Sequence, residues 1–460
     1  MSGNSATEIE HVSELINHPD PYSIPYAELQ ALRLKLLQKW FDQNYRQIPV
    51  LQRAADRKGI TRIEKAEDAI PLLFSHSTYK TYPESFLEKG QWDKLNLWLA
   101  TLTVHGDKLK QMNTEGISGL DDWLSAVEAQ GFAMSVSSGT SGKPSFIPRR
   151  AEDGPLFFRS FITMPKLGQG FDEGVQIPIL LGFFREGWHV LNLFANELLR
   201  QLPDWGVTFA FDGRLSPTTI RQEIKMRRMI AEGKLSPDEV AAFEKLAEEQ
   251  KAIRGAVFQQ FIQKVMVNKG KRIFLLAQTS VMYQMAANGL ALGLENFFAP
   301  DSIIMHAGGA KGFKLPPDYQ EQMARFFGVP LQNVVNFYAM SEKGSASLFC
   351  QYGRNHVAPW EIPLILDREG EKLLNPEFGS GEVIVGRYAF VDLVAQSHWG
   401  GVTTGDQVKV SFERCPCGRE GPQILEIARY SDLPDAPDDD KLSCSTEMAY
   451  YVNVEMELGV

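Results

Sequence analysis

The chain has 460 residues, 44% of them apolar and 23% charged, a composition ordinary for a globular protein with a large core and more than one domain. A net charge of −10 argues against non-specific nucleic-acid binding, which needs a basic surface to displace counterions. The start, 1–12, lacks the basic and apolar segments of a signal peptide, and runs such as 177–184 are far too short to span a bilayer. Four cysteines in so long a chain do not make a disulfide framework, so the expected setting is cytoplasmic.

Residues 1–130 form a mainly helical N-terminal region, in which 26–40 carries apolar residues three and four apart, as an amphipathic helix requires. From Gly131 onward short β-rich runs (132–136, 175–184, 272–276, 302–305, 334–338, 361–366, 381–385 and 408–412) alternate with helical ones. That alternation predicts a mixed α/β core over 131–430. Within it, 215–266 reads as a helical insertion, a hairpin whose helices open at Ser216-Pro217 and Ser236-Pro237-Asp238-Glu239. Each has a capping serine before a proline, and the second adds the reciprocal glutamate of a capping box. The end, 431–460, opens with an acidic, proline-containing linker.

Four polar turns interrupt this pattern. The first is Ser137-Ser138-Gly139-Thr140-Ser141-Gly142-Lys143-Pro144, between an apolar run and Ser145-Phe146-Ile147. Its glycines let backbone N–H groups approach a ligand, its hydroxyls donate hydrogen bonds and Lys143 adds positive charge, a combination suited to a polyphosphate. It is not a Walker A loop, because only two residues separate Gly139 from Gly142 and Pro144 stands where a magnesium-binding hydroxyl would be. The second turn, His306-Ala307-Gly308-Gly309-Ala310-Lys311, exposes backbone able to take the edge of an adenine. The third, Tyr338-Ala339-Met340-Ser341-Glu342, ends a buried strand with an aromatic ring, a hydroxyl and a carboxylate. A carboxylate there can hold Mg²⁺ on a phosphate. The fourth, 401–406, reads as a strand-flanking turn whose Asp406 can accept bonds from ribose hydroxyls. Each alone is an everyday surface turn or helix cap; their joint order carries the argument.

In that order the turns resemble the motifs of the adenylate-forming (acyl- and aryl-CoA synthetase) superfamily. The loop at Ser137–Pro144 looks most like that of the phenylacetate-CoA ligase group. Gly308–Lys311, Asn333-Val-Val-Asn-Phe-Tyr-Ala-Met-Ser-Glu342, His356-Val-Ala-Pro-Trp360 and Cys417-Gly-Arg-Glu-Gly-Pro422 are similar to the acyl-protein synthetase family. Its best-known members supply acyl groups to the fatty-acid reductase of bacterial bioluminescence. The resemblance covers roughly 137–430 apart from the helical insertion. Two positions depart from it: Ala339 stands where glycine is usual, and Ala310 where an aromatic residue is usual.

The resemblance implies an adenylate-forming large domain that uses ATP and Mg²⁺ to convert a carboxylic acid, fatty or aryl, to an acyl-adenylate. It also implies transfer to a thiol, on a protein such as a reductase or carrier. Ser138, Thr140, Ser141 and Lys143 are then expected on the β- and γ-phosphates with Gly139 and Gly142 shaping the loop. Ser341 is expected on the α-phosphate and Glu342 on Mg²⁺. Tyr338 and Gly308, Gly309 and Ala310 hold adenine, with Lys311 near the phosphates, and Asp406 and Arg429 hold ribose. Arg429 falls in a segment similar to the superfamily's hinge, with Asp432 near the pivot. Only residues 433–460 follow, so the small C-terminal domain is expected to be truncated. A complete chain of this length would lack the usual machinery for CoA. A CoA ligase completed by a partner, and a nucleotide-binding protein without acid activation, are the alternatives.

Cys350, His356, Cys415 and Cys417 supply three thiolates and an imidazole, a set suited to tetrahedral structural Zn²⁺. Reduced, unliganded cysteines with His356 capping the turn before Pro359 remain the other reading. Cys444 is left over, as an incidental cysteine or an acyl carrier.

Overall fold

The computed structural model describes residues 9–137, 143–164, 175–308 and 314–430. The loop 138–142, the turn residues 309–313 and the whole of 431–460, including Asp432 and Cys444, lie outside the described residues. In chain order the strands are β1 (Phe74–Ser75), β2 (Phe132–Val136), β3 (Phe146–Arg150), β4 (Ile179–Gly187), β5 (Val207–Leu215), β6 (Phe274–Gln278) and β7 (Ile303–Ala307). There follow β8 (Val334–Tyr338), β9 (Ser347–Phe349), β10 (Asn355–His356), β11 (Glu361–Leu366), β12 (Val383–Asp392), β13 (Gly401–Ser411) and β14 (Gln423–Arg429). Strands and flanking helices make a mixed α/β architecture. The chain divides into two compact units, one from Met1–Ser137, Ser145–Met164 and Ala339–Val460, the other from Ser138–Pro144 and Pro165–Tyr338.

In the first unit, the apolar spacing near the N-terminus becomes the helix Tyr26–Asn44, which buries Leu29, Leu32, Leu36, Leu37, Trp40 and Phe41. The antiparallel strands run in the order β11-β12-β13-β14-β10-β9, and β1 adds to β13 in parallel. A separate hairpin pairs β2 with β3, and Ser137 and Ser145 close it: Ser137 N–H donates to Ser145 O at 3.2 Å and Ser145 N–H to Ser137 Oγ at 2.9 Å. One expectation is corrected here. Gly401–Asp406 is no turn but the first half of β13, with Gly401 through Asp406 all buried. Gly401 marks a close approach instead, since a Cβ there would meet the Trp399 ring at 2.5 Å.

In the second unit, five parallel strands run in the order β5-β4-β6-β7-β8. Leu180, Leu275, Ile304 and Val334 from the strands pack with Met282, Met323, Phe326 and Phe327 from helices Thr279–Ala291 and Tyr319–Phe327. The helices Pro217–Ala231 and Pro237–Met266 open with the predicted caps. Ser216 Oγ accepts from Thr219 N–H at 3.1 Å, while Ser236 Oγ accepts from Glu239 N–H at 3.3 Å and Glu239 Oε2 from Ser236 N–H at 2.8 Å. Only the far end of the second helix enters the core, through Phe261 and Val265. No helix among the described residues is long and apolar enough to cross a membrane.

Candidate functional site

The turn after β8 leads Ser341, Glu342, Lys343 and Gly344 into β9, and in the first unit almost every polar group of this turn is held. Arg149, buried on β3, donates from one guanidinium nitrogen to Ser341 O at 2.6 Å and to Lys343 O at 2.8 Å. Ser160 Oγ donates to Gly344 O at 3.0 Å, and Gly344 N–H donates to Asp392 Oδ2 at 2.5 Å. Lys343 turns its ammonium inward to Glu361 Oε2 at 2.7 Å, both side chains fully buried, and Tyr388 donates its hydroxyl to the same carboxylate. Ser341 and Glu342 are half-buried.

Burial raises the Glu342 carboxyl above its ordinary range, opposed by its own backbone N–H and by the charges of Arg149, Arg429 and Lys80. The carboxylate thus stands in the field of Arg429, a residue of another hairpin. There Arg429 lies opposite Asp406 across β13 and β14, its Nε 3.1 Å from Asp406 Oδ1. Asp406 is buried while the Arg429 side chain is 62% exposed, so the pair offers one open, solvent-reaching end. Asp406 N–H is itself fixed on Thr404 Oγ1 at 3.1 Å, and Thr404 donates to Tyr388 O at 2.7 Å.

Of the residues picked from sequence, the first unit therefore holds Ser341, Glu342, Asp406 and Arg429. Lys143, Gly308 and Tyr338 belong to the second unit: Lys143 is half-buried beside Pro144, Gly308 is exposed just past β7 with φ +92°, and Tyr338 is half-buried as the last residue of β8. Ser138, Gly139, Thr140, Ser141, Gly142, Gly309, Ala310 and Lys311 lie outside the described residues. Sequence reasoning missed Arg149, Lys343, Glu361 and Asp392. The adjacent arginines at 149 and 150, closing an apolar run, were the visible signal for the first of these.

A second constellation forms where β10 pairs with β14. The ligand atoms of Cys350, His356, Cys415 and Cys417 all lie within 4.8 Å of one another. Cys350 Sγ is 3.8 Å from Cys415 Sγ, and Cys417 Sγ is 3.3 Å from His356 Nε2. Tetrahedral zinc with Zn–S bonds of about 2.3 Å separates its sulfurs by about 3.8 Å, so the donor set and its spacing fit Zn²⁺. Two matching turns present the thiols. In each, the cysteine N–H donates to the carbonyl of an arginine four residues on (Arg354, Arg419), and a left-handed glycine (Gly353, φ +66°; Gly418, φ +92°) donates back to the cysteine carbonyl. Burial, with the neighbouring Cys417 and Cys350 thiols, pushes the Cys415 thiol up to about 12, whereas burial, with Arg419 and Arg354, holds His356 down at about 4, in the neutral form that ligates metals. The carbonyls of Ala358 and Pro359 are taken by the buried Arg33, at 2.8 Å each, and the His356 ring faces the thiols.

No family model matches the chain, and no curated protein matches it. Among solved structures it is similar to McyG A-PCP complexed with phenylalanyl-adenylate, at 12% identity over 70% of this chain and 44% of that one, with a TM-score of 0.35. The likeness thus spans less than half of that chain's length, and at that score nothing about this chain's chemistry follows from it.

Proposed function

We propose that this protein activates a carboxylic acid with ATP, forming an acyl-adenylate and pyrophosphate, and passes the acyl group to a thiol on a protein. The observation that carries the reading is within one unit: Arg149 holds the backbone carbonyls on both sides of Glu342, at 2.6 and 2.8 Å, and the same unit pairs Arg429 with the buried Asp406 at 3.1 Å. An acidic residue that can hold Mg²⁺, together with an aspartate–arginine pair able to take ribose hydroxyls, is what an ATP-dependent adenylation needs. A carboxylate does not react with a thiol directly, because oxide or hydroxide would have to leave. Attack of the acid on the α-phosphorus releases pyrophosphate and makes AMP the later leaving group.

In this reading Ser341 donates to the α-phosphate, Glu342 holds the magnesium that accompanies ATP, and Asp406 with Arg429 orients the ribose. The magnesium would neutralise charge on the phosphates as pyrophosphate departs. Because that charge is concentrated in the transition state, fixed donors and cations dominate the rate. Lys143, Gly308 and Tyr338 keep the roles their sequence context predicts, each open to its own substitution. The Cys₃His cluster is proposed as a structural Zn²⁺ site, supported by the convergence of its four donors within 4.8 Å and the 3.8 Å Sγ–Sγ spacing.

The test is product analysis. Protein incubated with ATP, Mg²⁺ and a panel of fatty and aryl acids should release AMP and, with hydroxylamine present, yield the acyl hydroxamate of the preferred acid. ATP consumption independent of any acid would contradict the reading. Adding CoA in a parallel reaction separates a protein-thiol acceptor from a CoA ligase.

A further inference from the structure

The turn around Glu342 is fixed by a residue that the proposed reaction does not use. Arg149 lies on β3, in the first unit, and is 4% exposed. Its Nη2 spans Glu342 by donating to the carbonyls on either side of it, Ser341 O at 2.6 Å and Lys343 O at 2.8 Å. A buried guanidinium is a demanding way to satisfy two carbonyls, since the charge must give up its hydration. The fold nevertheless keeps the Arg149 Nε buried without a partner. It sets the cation among the carboxylates of Asp392, Asp153 and Glu342 and over the Phe157 ring at 5.9 Å.

The rest of the turn is pinned by other means: Lys343 by the buried Glu361, and Gly344 by Ser160 and Asp392. What these contacts leave to Arg149 is the backbone directly before and after Glu342. The planar guanidinium fixes the directions of the two Nη2 N–H bonds that reach these carbonyls, whereas a lysine's rotating ammonium, on a stem of different reach, does not.

We propose that Arg149 is a positioning residue for divalent-cation binding: it sets the backbone on both sides of Glu342 and thereby aims that carboxylate at the metal carried by a nucleoside triphosphate. The inference rests on the reading of Glu342 as the metal-holding carboxylate. It predicts that changing Arg149 weakens the metal and not the nucleotide.

The experiment uses the full chain with Arg149→Lys and Arg149→Met. Manganese, as a spectroscopic stand-in for magnesium, is titrated with ATP present and free Mn²⁺ is followed by EPR. ATP binding without metal and the denaturation midpoint are measured in parallel. A supporting residue of this kind should change metal affinity by about tenfold or more. Arg149→Lys is therefore expected to weaken Mn²⁺ in the ATP complex by about tenfold, with metal-free ATP binding within about twofold of wild type. If Arg149→Met does not fold, Arg149→Lys decides. A folded Arg149→Lys with wild-type Mn²⁺ affinity, or one in which metal and metal-free ATP weaken equally, overturns the proposal. So does failure of Arg149→Lys to fold, which makes the arginine a stability element only. Wild-type protein that binds no Mn²⁺ with ATP removes the reading of Glu342 itself, and the inference with it.

Discussion

The two units differ most in what they bury. Among the described residues, the second unit buries no lysine, arginine, aspartate or glutamate, and its interior is aliphatic and aromatic around five parallel strands. The first buries Arg33, Arg149, Arg150, Lys343, Glu361, Arg387, Asp392 and Asp406. Hydrophobic area is sufficient to hold a core together, and buried ions are weak stabilisers at best, because their desolvation roughly offsets their attraction. A unit that buries so many, with Arg149, Lys343, Glu361 and Asp392 gathered on one turn, uses them to fix positions. Around Glu342 they hold backbone, and two residues before Asp406 Arg387 does the same, donating to Thr404 O at 3.1 Å. The difference teaches that the second unit is specified by packing and the first by polar geometry.

The sharpest way to break this comparison is at Glu342 itself. Glu342→Gln keeps the shape and removes the charge, so acid-dependent ATP–pyrophosphate exchange should fall by orders of magnitude while the circular dichroism spectrum stays unchanged. Near wild-type exchange would take Glu342 out of the chemistry.

Next in size is the buried pair below it. Lys343→Met strands Glu361 without its partner and should destabilise the first unit by about 3–5 kcal/mol in denaturant titration. Pairing it with Glu361→Leu should recover most of that loss. In the second unit Phe261→Ala should lose a similar amount, about 3–5 kcal/mol, through a cavity alone, with no second-site recovery from charge removal. If Lys343→Met costs nothing, the polar interior is not holding the turn.

The metal comes third. Protein purified without added zinc should contain about one equivalent by elemental analysis, and Cys415→Ser should lose it along with stability of the β10–β14 pairing. A metal-free wild type with unchanged stability would return the cysteines to unliganded thiols.

A smaller effect is set by Asp392. Burial, with the nearby Glu361 charge, raises it from 3.8 to about 6. The folded state then holds this proton more tightly than the unfolded chain. Its contribution to stability is fully present below about pH 4, falls as pH rises, and is level above about 6. Asp392→Asn removes that slope, so the loss of stability it causes should be greatest near pH 4 and shrink toward pH 6.5. A pH-independent difference would contradict the assignment. Smallest of all is Arg429→Ala: with its side chain 62% exposed, the pair with Asp406 should contribute below about 1 kcal/mol to stability. Its mark should instead be a higher KM for ATP.

Much of this was legible in the residues. The strands 132–136, 334–338 and 361–366 fall where their apolar runs placed them, because hydrophobic period and strand length agree there. The four zinc-type donors converge although 61 residues separate His356 from Cys417. Elsewhere local signals lost to tertiary context. Gly401-Val-Thr-Thr-Gly-Asp406 has the glycines of a turn, yet β12, β14 and β1 pair along it and make it strand. The run expected at 381–385 begins instead at Val383 and continues to Asp392, since β11 and β13 offer partners on both sides. Arg149 and Lys343 could not be read as buried, because a charged residue in sequence looks like surface until the carbonyls and carboxylates that receive it are known. Polar geometry is made by long-range contacts, 192 residues apart in the case of Arg149 and Ser341, and no local period reports them.

The most direct measurement is ATP–pyrophosphate exchange by the wild-type protein across a panel of carboxylic acids, with and without Mg²⁺. The account predicts label incorporation into ATP that requires both the metal and one class of acid, and that is absent without either. Exchange that ignores the acid, or none with any acid while ATP still binds, would contradict it.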